Sequence, residues 1–425
     1  MSDLLMTTWD GGGTTPPLMS VARALVTRGH RLRVLADPVL RADVEATGAE
    51  FVSWTRAPHR RERNYGDHFV RDWGVDPAEG FARMRDTLAL GPAAAYAADV
   101  REELERRPAA ALLTELLLFG PQVAAEAAGV PCVVLNPTIN VVPAPGVPPF
   151  GLGLMPRTDE VGRRRDEELG AMMLAAWDEG LPALNLARAE QGLEPLQHAL
   201  DQGRTAARVL VMTSRAFDLL VGPLPPTVVH VGPRLDDMSW AGEWDAPPGE
   251  EPLVLVGLSS DFQDQGDVLR RIAAALGTLA VRAVLTTGKG IDPASIEAPS
   301  NVQVVKAAPH SAVLREAALA ITHAGHGVTI KALAGGVPLV CLPMGRDQLD
   351  VAARVVHAGA GVRLDQSAAT AEIAAAVEQV LSGASYREAA ARIATAIAEE
   401  TETDQALAEI EAVIASTPSR DLLVA

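Results

Sequence analysis

The chain has 425 residues, 48% of them hydrophobic and 21% charged, which leaves room for two or three domains with large apolar cores. Acidic side chains outnumber basic ones by 54 to 37, a net charge of -17. That balance excludes nucleic acid or an anionic membrane as the main partner, since both need clustered Lys and Arg, but it allows a local positive pocket for a phosphate. No apolar run approaches the roughly 18 residues a membrane span needs. The opening MSDLLMTTWD lacks a basic region and a long apolar stretch, so a cytoplasmic protein is expected. Cys132 and Cys341 each lie in an apolar run and read as buried small hydrophobes rather than a disulfide or metal pair; no Cys–His cluster has zinc spacing.

Short β-like runs alternate with longer Ala-rich stretches along the whole chain, the pattern of parallel sheets with crossover helices. The opening segment reads as strand, Gly-rich loop, amphipathic helix and strand. It has no G-x-G-x-x-G, and Asp37 is the lone acidic residue at the end of the second strand, so a nicotinamide or flavin site is not favoured. First-half strands are expected at Leu4–Trp9, Leu32–Asp37, Ala110–Glu115, Cys132–Asn136, Val209–Ser214 and Val228–Val231. His59 to Asp76 mixes Arg, His and aromatics without a period and receives no assignment. Val141 to Pro156, holding Pro145 and Phe150, follows a strand's carboxyl end, where ligands collect in open α/β sheets. It is either an acceptor wall or a surface loop.

Asp236 to Pro252 (DDMSWAGEWDAPPGEEP) lacks periodicity and reads as a linker. Beyond it, strands are expected at Leu253–Leu258, Arg282–Thr287, Val302–Lys306, Leu319–Thr322, Leu339–Leu342 and Gly361–Leu364, with closing amphipathic helices at Tyr386–Glu399 and Asp404–Ala415. Two sheets of about six strands suit two domains better than one wide sheet. The expected division is 1–235, linker 236–252, 253–400, and a C-terminal helix and tail 401–425. AAEAAGVPCVVLNP and IKALAGGVPLVCLP both read as helix, Gly-Val-Pro turn and buried strand. That echo marks either related halves or any αβ unit.

Within the second half, one stretch carries chemistry: PHSAVLREAALAITHAGHGVTIKALAGGVPLVCLPMGRDQ, residues 309–348. An apolar strand ends at His323, a turn with Gly325 and Gly327 follows, and a helix is expected near Val328. Unpaired N–H groups and the partial positive charge of a helix start favour a phosphate. The glycines permit close approach, and His323 can add an imidazole hydrogen bond. Asp347 and Gln348 follow the next strand at the same edge, a carboxylate and carboxamide suited to neighbouring sugar hydroxyls. A Gly-rich turn with a His is by itself more often structural.

This run resembles the donor-binding signature of nucleotide-sugar-dependent GT-B glycosyltransferases, particularly their bacterial antibiotic-tailoring branch. The resemblance implies two Rossmann-like doubly wound parallel-sheet domains facing across a cleft that closes on the donor. It implies that His323 contacts the phosphates, Gly325 and Gly327 hold the pyrophosphate, and Asp347 and Gln348 grip the sugar. Ser259 and Ser260 then lie near the phosphates, and Pro309 and His310 match the segment reading the base. Ala307 and Ala308 stand where the family often has a stacking aromatic, and Val328 where it usually has Thr or Ser. The absence of Asp-x-Asp leaves metal-independent stabilisation by the helix end.

On the acceptor side, the first loop resembles the family's G-H-x-x-P. Aligning on Pro17 puts Thr14 in place of the general-base His, and Glu115 matches its partner Asp. Threonine cannot deprotonate a hydroxyl. Either Glu115, its pKa raised by burial, is the base; or the acceptor needs little help, as an acidic phenol, enolised carbon or carboxylate; or the protein binds a nucleotide sugar without transferring it. Asp10 is a lesser candidate base, and Gly13, Pro145 and Phe150 are placed beside the acceptor. The implied reaction moves a hexose or deoxyhexose from a dTDP- or UDP-sugar to a mostly apolar natural product. No other cofactor is expected, and homodimerisation is left open. Alternatives are a non-catalytic nucleotide-sugar-binding partner of another transferase and a GT-B sugar-nucleotide epimerase.

Overall fold

A computed structural model of the chain describes residues 1–63, 65–143, 147–157, 159–219, 223–237, 241–242, 244–259 and 262–416; the expected sites Ser260 and Pro145 lie outside them. The first sheet contains β1 (Asp3–Thr7), β2 (Arg31–Ala36), β3 (Glu50–Ser53), β4 (Ala111–Glu115), β5 (Cys132–Asn136), β6 (Arg208–Val211) and β7 (Val228–His230). The second contains β8 (Leu253–Gly257), β9 (Arg282–Thr286), β10 (Val302–Val305), β11 (Ala317–Thr322), β12 (Leu339–Cys341) and β13 (Gly361–Arg363). Their orders are β3-β2-β1-β4-β5-β6-β7 and β10-β9-β8-β11-β12-β13. Every pairing is parallel. The two-sheet GT-B architecture expected from sequence is therefore present.

All twelve expected strands form, most of them ending one to three residues early. The thirteenth, β3, was not expected: it is a four-residue edge strand with no fully buried residue, so EFVS shows no apolar run. Central strands read clearly because both faces are covered. Leu4 and Met6 of β1 enter one apolar cluster while Leu5 enters the other, as the two-residue period of a strand requires. Cys132 and Cys341 are free and buried, each thiol pushed up to about 12 by burial.

Both sheets reverse their strand order at the same place, between β1 and β4 and between β8 and β11. Such a switch point opens a crevice at the strands' carboxyl ends. The sequence echo has a topological basis: the helices Phe119–Ala128 and His326–Ala334 join β4 to β5 and β11 to β12. They end alike, with bonds from Val130 N to the Ala125 carbonyl and from Val337 N to the Ala332 carbonyl.

The chain passes between the halves twice. Residues 236–252 contain no helix or strand among those described. Later the helix Ala384–Glu400 packs on the second sheet, through Ile393 and Ile397, and Gln405–Ser416 returns to the first. There Ala406, Leu407, Ile410 and Val413 join the apolar cluster that holds Leu4, Met6 and Leu18, the helix meeting Thr15–Thr27 and β6, each larger apolar side chain contributing about 1.5–3 kcal/mol. The two passages run side by side. A β-carbon on Gly232 would lie 3.3 Å from the Glu400 carbonyl oxygen, and Arg234 pairs with Asp404 at 3.0 Å. No helix among the described residues is long and apolar enough to cross a membrane.

Candidate active site

Thr7 of β1 lies beside Thr114 of β4 in the sheet register, so Thr8 and Glu115 emerge together at the first switch point. Glu115 is buried. One carboxylate oxygen accepts from the Thr8 hydroxyl at 3.1 Å and the other from the Trp9 indole at 3.0 Å. Burial raises its pKa to about 7, while Thr8, Trp9 and Thr14 act in the opposite sense. The Thr14 hydroxyl is thus close to Glu115, yet it makes no aligned hydrogen bond among the described residues. Gly11 makes room for this arrangement, since a β-carbon there would lie 2.6 Å from the Thr14 hydroxyl and 3.0 Å from the Trp9 ring. Trp9, Phe119, Phe69 and Trp177 belong to one apolar cluster around this edge, and Trp177 also packs edge-on against Phe81 with ring centroids 5.1 Å apart.

Asp10 does not fit the role of base. Its carboxylate is buried between Arg60 and Arg63, each at 3.3 Å, which holds it as an ion-paired anion. Its backbone N–H donates to Asp37 at 3.0 Å. Asp37 is fully enclosed, and burial lifts its pKa to about 8, so it offers no carboxylate to a ribose.

The second switch point repeats the geometry. Gly257 of β8 pairs with Thr322 of β11, which brings out Ser259 and His323. The helix after His323 begins at His326, two residues earlier than expected, with Gly325 as its N-cap. Its first intrahelical bond runs from Thr329 N to the Gly325 carbonyl at 3.1 Å, leaving the N–H groups of His326, Gly327 and Val328 without a helical partner. Val328 therefore offers the backbone N–H, while its side chain packs toward Gly257. The His323 imidazole lies over Gly325, where a β-carbon would meet it at 2.5–2.6 Å. Burial, then the charge of Arg346, lowers its pKa to about 3, so it is neutral. Neutral imidazole keeps one N–H donor.

His310 is partly buried and its ring nitrogen lies 3.2 Å from the Thr286 hydroxyl, so its side chain is engaged within the domain. Asp347 stands immediately before the helix Gln348–His357 without a capping side-chain bond to it, and accepts from Thr138 of the first half at 2.6 Å. Burial raises its pKa. Gln348 departs from the expected sugar grip. Its carbonyl oxygen accepts from Met344 N at 2.8 Å and Gly345 N at 3.2 Å, and its amide donates to Gln263 at 3.0 Å. It shapes the loop and retains one N–H. Phe150 also departs from expectation: it packs against the second half's apolar cluster, with Ile139 and Val351, rather than lining the Glu115 edge. Gly151 and Gly153 beside it donate to Asp350 at 2.7 and 3.4 Å.

The two edges face each other. A β-carbon on Gly327 would lie 4.0 Å from the Gly13 carbonyl oxygen and would touch nothing else. His326 crosses the divide to the Thr213 hydroxyl at 2.8 Å. A buried cluster joins Asp218 and His230 of the first half to Arg354 of the second, at 2.9 and 2.8 Å. Sequence reading missed Thr8, Trp9, Thr138, Thr213 and Asp218. The last three carry no local motif, and Trp9 was absorbed into a strand. Among the described residues no three His, Cys, Asp or Glu side chains converge as a metal site. The arrangement places a buried carboxylate and a helix start with unpartnered N–H groups on opposite walls of one cleft.

Comparison with known proteins agrees with this layout. A family model described as UDP-glucoronosyl and UDP-glucosyl transferase matches residues 232–411. The 4'-demethylrebeccamycin synthase of Lentzea aerocolonigenes is 30% identical over 407 residues, 92% of this chain and 94% of that protein. The calicheamicin glycosyltransferase structure superposes with a TM-score of 0.77 at 21% identity, covering 99% of this chain and 100% of the other. The glycosyltransferase VinC, solved with dTDP, gives 0.68 at 19% identity over 97% and 99% of the two chains. At these identities the two structures establish the fold alone.

Proposed function

The chain belongs to the bacterial natural-product branch of the nucleotide-sugar-dependent GT-B glycosyltransferases, and from that premise we propose that it moves a hexose or deoxyhexose from a dTDP- or UDP-sugar to a mostly apolar acceptor without a metal ion. The observation that carries the proposal is the approach of the Gly13 loop to Gly327 across the cleft, with Glu115 behind the first and His323 beside the second.

In this reading the diphosphate lies at the start of the His326–Ala334 helix. The N–H groups of His326, Gly327 and Val328, the helix dipole and the neutral His323 imidazole stabilise the charge that grows as the bond to the anomeric carbon breaks. Asp347 orients the sugar. Glu115 takes the acceptor proton as the acceptor atom bonds to the anomeric carbon, and the electron pair of the broken bond leaves on the diphosphate. Thr14 has no part in that proton transfer. The aromatic side chains near Glu115 suit a flat apolar acceptor, and VinC's dTDP complex supports a thymidine-linked donor.

The test is turnover with a panel of dTDP- and UDP-sugars against aromatic and macrolide acceptors, alongside calorimetry with dTDP and UDP. Product formation with a nucleoside diphosphate bound at His323 is expected. Binding of neither nucleotide refutes the proposal. A Glu115→Gln variant of undiminished rate shifts the chemistry to an acceptor acidic enough to need no base.

A further inference from the structure

The loop carrying Asp347 is held by the opposite domain at three consecutive residues. At Gly345 a β-carbon would lie 3.0 and 3.3 Å from the Trp73 ring, so the indole rests on bare backbone. Arg346 has φ of +54°, a left-handed conformation unfavourable for any residue with a β-carbon. Its guanidinium makes two parallel bonds to Asp72, Nε to Oδ2 at 2.7 Å and Nη2 to Oδ1 at 2.8 Å. Its Cζ lies 4.9 Å from the Trp73 ring centroid. Asp347 then accepts from Thr138.

This pairing differs from an ordinary surface ion pair, which contributes little. The Asp72 side chain is only 5% exposed; burial alone would raise its pKa, but the Arg346 charge prevails and holds it below the usual carboxylate range. A bidentate pair also fixes orientation, not only distance. The strained Arg346 backbone is thus pinned one residue before the carboxylate assigned to the sugar. Arg346 also acts electrostatically on both His323 and Asp347.

We propose that Asp72 is a positioning residue for the donor sugar: with Trp73 it clamps Gly345–Arg346 and so sets where the Asp347 carboxylate meets the sugar hydroxyls. The sugar subsite is then composite, finished by the acceptor domain, and discrimination among hexoses depends on a residue that touches none of them. The inference rests on the reading of Asp347 as the sugar-binding side chain.

Asp72→Asn keeps the shape and removes the charge. A displaced Asp347 is expected to lower kcat/KM for the sugar nucleotide by about 10- to 100-fold. Affinity for the nucleoside diphosphate without sugar should stay within about twofold, since the helix start is untouched. The ratio of kcat/KM between two donors epimeric at one hydroxyl should collapse toward unity. Arg346→Lys, which keeps the charge but not the fork, should collapse it too. The Asp72→Asn/Arg346→Gln pair should be no worse than the more impaired single variant. Should Asp72→Asn fail to fold, Arg346→Lys carries the test.

Equal losses of donor and bare diphosphate binding would make the pair simple interdomain glue and overturn the proposal. So would unchanged donor discrimination in both single variants. Asp347→Asn separates the two ideas. If it alters discrimination while Asp72→Asn and Arg346→Lys do not, the clamp fails and the Asp347 assignment stands. If Asp347→Asn itself changes nothing, the assignment falls first.

Discussion

The indole N–H of Trp9 donates to the Glu115 carboxylate at 3.0 Å. Together with Thr8, it steadies a carboxyl group that burial has raised to about 7, where a general base is best poised near neutral pH. A protonated Glu115 is idle as a base, so the rate should rise with pH through about 7 and then level. Glu115→Gln should remove that limb and slow turnover by about 10²- to 10⁴-fold. Thr14→Val should keep the limb, with a rate within about threefold, the loss of one weak neutral contact. A retained limb in Glu115→Gln excludes Glu115 from the profile.

The same burial has a stability cost of known sign. The folded pKa lies above the ordinary 4.5, so the stabilisation is fully present below about pH 4.5 and is lost as pH rises through about 7. A neutral glutamine escapes that loss. Thermal melts should show Glu115→Gln gaining on the native protein between pH 5 and 8; a constant difference across that range would contradict the assignment.

His323 should behave as a neutral donor. Its pKa, lowered to about 3 by burial and the Arg346 charge, lies below any working pH. Its ring NMR signals should therefore not titrate between pH 5 and 8. His323→Ala should weaken dTDP or UDP binding about tenfold, the worth of one hydrogen bond to a charged group.

Two glycines of the phosphate turn should separate cleanly. Gly325→Ala drives a methyl into the His323 ring, and overpacking of this kind costs about 1–3 kcal/mol. It should lower both melting temperature and nucleotide affinity. Gly327→Ala meets no atom closer than 4.0 Å. It should melt like the native protein and lose nucleotide affinity alone, as differential scanning fluorimetry beside calorimetry can establish.

Asp218 is the acid-sensitive point of the domain contact. Although burial opposes it, His230 and Arg354 hold its pKa down to about 2. Its stabilisation is present above the ordinary 3.8 and is lost as pH falls through about 2. Asp218→Asn leaves Arg354 buried beside a neutral group, which should cost about 3–5 kcal/mol. Denaturant titration of the two proteins at pH 7 measures it.

The fold was legible because its signals are local. Strands covered on both faces carry unbroken apolar runs, and Gly325, Gly327 and His323 announce their turn within five residues. What failed to show is what depends on distant partners. Glu115 is completed by residues more than 100 positions away. The segment from His59 to Asp76 has no period because its order comes from Asp10, through Arg60, and from Arg346, through Asp72. Phe150 looked like an exposed wall residue until its apolar surroundings came from the other half. Gln348 was read by its chemistry, and its loop had already engaged that chemistry.

The paired passages at Gly232–Arg234 and Glu400–Asp404 limit how the halves can move. A single tether would permit swinging and twisting in every direction. Two strands of chain, tied together by Arg234 and Asp404, leave one easy axis, as two pins leave a door. Opening should therefore be a rotation about that seam, widest at the Gly13–Gly327 rim. Removing the last helix would then do more than uncover the first helix and β6: it would take away one pin, and the cleft would lose its register.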